Sequence, residues 1–263
     1  MVPSQLNSKG MNFMNIDFSF ITSHCLISPH DIEPLVLEVQ AKQLTNINEV
    51  ASLLDKLKEL YEADDYLLPA SVIGMSLFNL IAAQMIVQSK HNQQLDMNLS
   101  NIDLQVKMFG KFPVLYIKIN DCTLQPSLPI PDLFEYLDKP ISIIAKAAGV
   151  KSSLIYNQFG GRSEQIAVAF LQYEKDENTK TIFNILLNQL KNDDCFEKNP
   201  FQYEPKFIES PYYPGKKMMM RSSCCMFYRK KGGIKCYNCP TLSEQARIKM
   251  RKEITHTTKV QNR

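Results

Sequence analysis

Four of the seven cysteines in this 263-residue chain, Cys224, Cys225, Cys236 and Cys239, fall within sixteen residues. Two are adjacent, ten residues intervene, and the last two form a Cys-x-x-Cys followed by Pro240. Thiolates gathered this closely, in a chain that otherwise spends cysteine sparingly, are most simply explained as ligands of one metal centre. A [2Fe–2S] cluster takes four thiolates, two on each iron. A closed structural zinc site also takes four. Zinc sites, however, usually build each half from cysteines a few residues apart, and the vicinal Cys224-Cys225 would have to bring both sulfurs to one tetrahedral ion. The spacing therefore favours a cluster; zinc stays as the competing reading, with a redox dithiol behind both. Gly232-Gly233 in the spacer lets the chain fold back so that the two halves meet.

The surroundings of the cysteines are basic. Arg221, Arg229, Lys230, Lys231 and Lys235 lie in residues 221–240 with no acid among them. Residues 216–263 carry thirteen Lys or Arg against two Glu, whereas the first 215 carry seventeen against twenty-five acids, so the formal net charge is +3. A basic end on an acidic body points to an anionic partner. Positive charge here also stabilises the reduced, more negative state of a cluster. Arg221, Arg229 and Lys230 are the basic candidates for substrate contact. Residues 252–263 read as a solvated, frayed end.

The pattern Arg-Ser-Ser-Cys-Cys-x-x-Tyr…Gly-Gly…Cys-x-x-Cys-Pro resembles the C-terminal signature of the FhuF family of ferric-siderophore reductases. The residues that carry it are Arg221, Cys224, Cys225, Tyr228, Gly232, Gly233, Cys236, Cys239 and Pro240. The resemblance implies that Cys224, Cys225, Cys236 and Cys239 hold a [2Fe–2S] cluster. It also implies that the reaction is one-electron reduction of siderophore-bound Fe³⁺ with release of Fe²⁺. Upstream, residues 141–158 are weakly similar to the helical region of that family, with Tyr156-Asn157 where members commonly have Trp-x-Asn. The partners implied are a ferric siderophore and an external electron donor, a ferredoxin or flavoprotein. No Gly-x-Gly-x-x-Gly follows a strand and no Walker-type loop occurs, so a nucleotide or flavin site within the chain is not expected.

The rest of the chain must position these residues. Its composition, 44% hydrophobic and 22% charged, is that of an ordinary globular protein. Apolar periodicity predicts helices over residues 29–43 and 49–61, the second capped by Asn48, and a strongly apolar helix over 70–87 with Pro69 in its first turn. Alternation of Ile102, Leu104 and Val106, then of Leu115, Ile117 and Ile119, predicts an antiparallel hairpin. Helices are expected again at 132–137, 141–148, 152–159, 164–175 and 179–191. Residues 192–217 read as a linker, and a short last helix over 244–252 is capped by Ser243. The fold class expected is α+β: a mostly helical body with a small antiparallel sheet, divided at residues 1–215 and 216–263 into a siderophore-binding body and a cluster-binding segment.

Other signals weigh less. Residues 144–156 resemble the helix-turn-helix of TetR-type repressors, with Gly149 at the turn and Tyr156 on the second helix, which leaves a cluster-bearing or zinc-stabilised DNA-binding regulator as the alternative function. Lys151 is the one cation there before Arg162, so nucleic acid is not the expected partner. His24, His30, His91 and His256 form no metal or triad motif, and Cys25, Cys122 and Cys195 read as isolated, inert thiols. Residues 1–20 do not read as a secretory signal. The 70–87 window, interrupted by Ser71, Ser76, Asn79 and Gln84, reads as a core helix rather than a membrane span, with peripheral membrane association left open. The expected location is the cytoplasm, where thiols stay reduced and available to metal.

Overall fold

The computed structural model describes residues 16–194, 196 and 198–261, with side-chain surroundings as far as Thr255. The expectations for the first fifteen residues, for Cys195 and for the His256 side chain lie outside the described residues. The element order is β1 (Ile27–Ser28), β2 (Leu35–Gln40), α1 (Ile47–Leu60), α2 (Leu67–His91), β3 (Gln93–Leu95), β4 (Ile102–Phe109), β5 (Phe112–Ile119), β6 (Leu124–Pro126), α3 (Glu135–Ala147), α4 (Ser152–Tyr156), α5 (Phe159–Tyr173), α6 (Glu177–Lys191), β7 (Phe207–Glu209), β8 (Lys217–Met219) and α7 (Glu244–Gln261). The class is α+β, with the cysteines gathered near the C-terminus.

The apolar helix α2 is the axis of the core. Its most apolar window is 89% buried inside the fold, and it packs on α1, α3, α4, α5, α6 and strand β5. A helix apolar on all sides needs such a jacket. Its buried polar residues each meet a partner. Gln84 accepts from the Leu95 N–H and donates to the Leu95 carbonyl, both at 2.9 Å, which pins the end of β3. Gln88 donates to the Leu128 carbonyl at 3.0 Å. Ser71 and Asn79 face the cysteine side, as described below.

Strands β4 and β5 form the expected hairpin around Gly110-Lys111, with Leu104 opposite Ile117 and Val106 opposite Leu115. Their alternating side chains are buried. Two flanking strands complete a sheet of order β1-β5-β4-β2, β2 antiparallel to β4 and β1 parallel to β5.

Six local expectations differ from the structure. Residues 29–43 hold strand β2 rather than a helix. Leu35, Leu37 and Val39 alternate with more exposed Val36, Glu38 and Gln40, a period of two that pairing with β4 selects over the helical alternative. Asn46, not Asn48, caps α1, its side chain accepting from the Asn48 and Glu49 N–H groups. The predicted break before residue 141 is absent: α3 runs through Pro140, whose missing N–H leaves only the carbonyl of Tyr136, an exposed residue, without its helical donor. Helix α5 starts at Phe159 and includes Gly160-Gly161, because both glycines sit at close backbone approaches. The 192–217 linker carries β7, which pairs antiparallel with β8, and the last helix continues to Gln261, so its end is helical rather than frayed.

Candidate metal centre

The cysteine segment is fastened to the helical body at three places. The chain at 229–231 joins the α1–α2 connection: Asp64 N–H donates to the Arg229 carbonyl at 2.8 Å and Lys231 N–H to the Glu62 carbonyl at 2.7 Å. The Arg229 guanidinium pairs with Asp65, whose other carboxylate oxygen accepts from the Leu67 N–H at 3.0 Å at the start of α2. Further along, Ser71 Oγ of α2 lies 3.0 Å from the Cys225 carbonyl oxygen and 2.9 Å from Gln158 Oε1. Ser222 supplies the third fastening. Its hydroxyl accepts from the Gly161 N–H and donates to the Asn157 carbonyl, each at 2.8 Å. A Cβ on Gly161 would stand 2.7 Å from the Ser222 nitrogen, so only glycine admits this contact.

Within the segment, the backbone separates the vicinal cysteines. Met226 adopts φ 58° and ψ 8°, the left-handed region, immediately after Cys225. Gly232 repeats that conformation at φ 68°, and a Cβ on Gly233 would meet the Tyr228 and Lys230 carbonyl oxygens at 2.8 Å. The chain therefore doubles back and brings the Cys-x-x-Cys turn, closed by the Cys239 N–H bond to the Cys236 carbonyl at 3.0 Å, against the vicinal pair. From outside, Arg247 of α7 holds that turn, donating to the Tyr237 carbonyl at 3.1 Å and the Cys239 carbonyl at 2.8 Å.

The four sulfurs then form two crossed pairs. Cys224 and Cys239 Sγ are 3.6 Å apart, while Cys225 and Cys236 lie close enough to shift each other's titration in opposite directions. Each vicinal cysteine thus pairs with one member of the Cys-x-x-Cys. The four thiols supply the number of thiolates that a [2Fe–2S] cluster takes, two for each iron. The neighbouring Cys236, opposed by burial and reinforced by the charge of Arg221, pulls the Cys225 thiol down to about 5. Cys236 is in turn pushed up. Arg221 Nε is buried without a hydrogen-bond partner among the described residues, as expected of a donor kept for a group not built from protein.

The thiol pairs open onto a chamber of about 500 Å³. Its walls are α2 (Ser71, Asn79), α5 (Gly161, Arg162), residues 113–115 of β5 and the cysteine segment. Of the three basic candidates, Arg221 lines it. Arg229 is taken up by Asp65, and Lys230 lies over the Phe112 ring at 4.4 Å. Arg162 also lines it and escaped notice in the sequence, where only its place after Gly160-Gly161 could have singled it out. Its Nε donates to Asn79 Oδ1 at 3.1 Å and its guanidinium to the His24 carbonyl.

The remaining sequence signals lie elsewhere. Cys25 is buried, and burial pushes its thiol up to about 12, the behaviour of an inert core cysteine. In the helix-turn-helix-like stretch, Gly149 makes the turn at φ 68°. The second helix, α4, has five residues, with Ile155 buried and Tyr156 bonded to Asp138 at 2.5 Å.

A comparison with curated proteins gives no match. A family model described as the FhuF 2Fe-2S C-terminal domain matches residues 221–240, and its bounds enclose all four paired cysteines together with Arg221, Ser222 and the Gly232-Gly233 turn. In this segment, twenty of the 263 residues, the protein is similar to the FhuF family of 2Fe-2S proteins.

Proposed function

We propose that the protein is a ferric-siderophore reductase whose four cysteines, Cys224, Cys225, Cys236 and Cys239, hold a [2Fe–2S] cluster at the wall of a chelate-binding chamber. The observation that carries this reading is that all four cysteines of the matched segment line one chamber. Cys224, Cys225, Cys236 and Cys239 would supply the cluster's four thiolates. When bound, the cluster supplies a carrier for single electrons at a potential set by charge and hydrogen bonding around it. Arg221 favours thiolate at Cys225 and presents a free N–H beside it. Ser71, Ser222 and Arg247 fix the backbone on either side of the cysteines, which keeps reorganisation small when the charge changes.

The chamber brings the chelate against the cysteine segment and shields it from water with Val72, Met75 and Leu115. Siderophores grip Fe³⁺ with hard oxygen donors, and the same donors hold Fe²⁺ far less well. One electron delivered to the chelated Fe³⁺ therefore releases the metal as Fe²⁺. The electron comes from a separate ferredoxin or flavoprotein in the cytoplasm. The rim beside the cysteines, with exposed Phe112, Phe227 and Ile234 among Lys230, Lys231 and Lys235, suits an acidic donor. The test is anaerobic mixing of the prereduced protein with a ferric siderophore and a chromogenic Fe²⁺ trap. Prompt trapping of Fe²⁺ is expected, while a reduced protein that leaves every ferric siderophore intact overturns the reading.

A further inference from the structure

The charge of the chamber says more about its ligand than the matched segment does. Arg162, Arg221 and Lys235 line it, and no Asp or Glu does. Neither arginine has a carboxylate partner among the described residues. Arg162 is fixed by two neutral acceptors, Asn79 Oδ1 and the His24 carbonyl, and the buried Nε of Arg221 has no hydrogen-bond partner among the described residues. The two guanidiniums are close enough for the charge of Arg221 to weigh against that of Arg162. Two neighbouring, half-buried cations without a counter-ion are an unfavourable arrangement unless an anion completes it.

A cluster on the four thiolates would supply part of that negative charge, but it does not account for both arginines. Arg221 acts directly on Cys225 and Cys236. Arg162 lies instead beside Arg221 and the buried Cys25. Its guanidinium faces the chamber from α5, where its anchors on α2 and at His24 hold it in place. A planar guanidinium fixed in this way recognises oxygen anions with little loss of side-chain entropy.

We propose that the chamber binds a negatively charged ferric chelate, one whose ligand carries catecholate or carboxylate oxygens, clamped between Arg162 and Arg221, in preference to a neutral trihydroxamate. The proposal rests on the reductase reading and narrows its substrate. An anionic chelate neutralises the guanidinium pair, whereas a neutral one of similar size desolvates both cations and returns no charge. The volume, about 500 Å³, is in the range of small-molecule sites and admits one compact chelate.

Gallium(III) replaces iron(III) in such chelates without accepting an electron, so binding can be read apart from reduction. Calorimetric titration of the cluster-loaded protein with gallium tris-catecholate and with a neutral gallium trihydroxamate should show the anionic complex binding at least about tenfold more tightly. The advantage should shrink as salt rises. Arg162→Gln should abolish the preference while leaving the visible spectrum unchanged, and Arg162→Lys should keep part of it. Equal or tighter binding of the neutral chelate to the unaltered protein overturns the proposal, as does an Arg162→Gln protein that retains the full preference. The reductase reading fails separately: if the prereduced protein reduces neither ferric chelate, that reading falls even where the charge preference stands. Reduction of both without preference removes only the anion clamp.

Discussion

Met226 is the residue on which the geometry of the cysteines turns. A side chain other than glycine in the left-handed region costs about 1–2 kcal/mol, and here that conformation turns the chain directly after Cys225. Met226→Gly should therefore retain the full iron content, its easier backbone offsetting the loss of a partly buried side chain. Met226→Val, with a branched Cβ that tolerates this region least, should lower iron per chain and destabilise the segment by about 2 kcal/mol; iron analysis and thermal melts check both. Single Cys→Ser changes at Cys224, Cys225, Cys236 or Cys239 each leave a pair incomplete and should remove the visible colour and Fe²⁺ release together. The sequence already showed the identities of these four residues and the need for a fold-back at Gly232-Gly233. The turn directly after Cys225 was not legible there, because it rests on a positive φ at a methionine, a residue type that carries no such expectation. Arg162 was hidden for a similar reason, since nothing local marks an arginine whose partners, Asn79 and His24, are 83 and 138 positions away in the chain.

At the scale of elements, the site depends on how closely α2 and α5 approach the cysteine segment. Gly161→Ala would force a Cβ to within 2.7 Å of the Ser222 backbone nitrogen and break both Ser222 hydrogen bonds. The expected cost is about 2 kcal/mol or more, seen as a lower melting temperature with reduced cluster content. Ser71→Ala removes the hydroxyl that the Cys225 carbonyl and Gln158 share, and should cost about 1–2 kcal/mol. The hairpin and the helices at α1, α2 and α6 were visible in the sequence because their apolar periods are long and unmixed. Strand β2 was not, since Leu35, Leu37, Val39 and the apolar residues around them satisfy both periods until β4 is there to pair with. The early start of α5 was masked by Gly160-Gly161, which read as a break and instead mark close backbone contacts with Pro200 and Ser222.

For the whole molecule, the distribution of anchors predicts how metal removal is felt. The core around α2 owes nothing to the cysteines, whereas residues 221–240 have little regular structure and depend on fastenings at Glu62–Asp65, Ser71 and Gly161. Stripping the metal should therefore expose 216–240 to proteolysis while amide protection in α2 persists; loss of protection throughout the chain would show the two to be one cooperative unit. The basic rim predicts that electron delivery from an acidic donor slows as salt is raised beyond physiological strength, and stopped-flow reduction across a salt series measures this. The central claim is that the four cysteines hold an iron–sulfur cluster rather than a single ion. The most direct measurement is the visible spectrum and metal content of protein purified without oxygen. The account predicts a red-brown protein with about two irons and about two labile sulfides per chain; a colourless protein carrying stoichiometric zinc would contradict it.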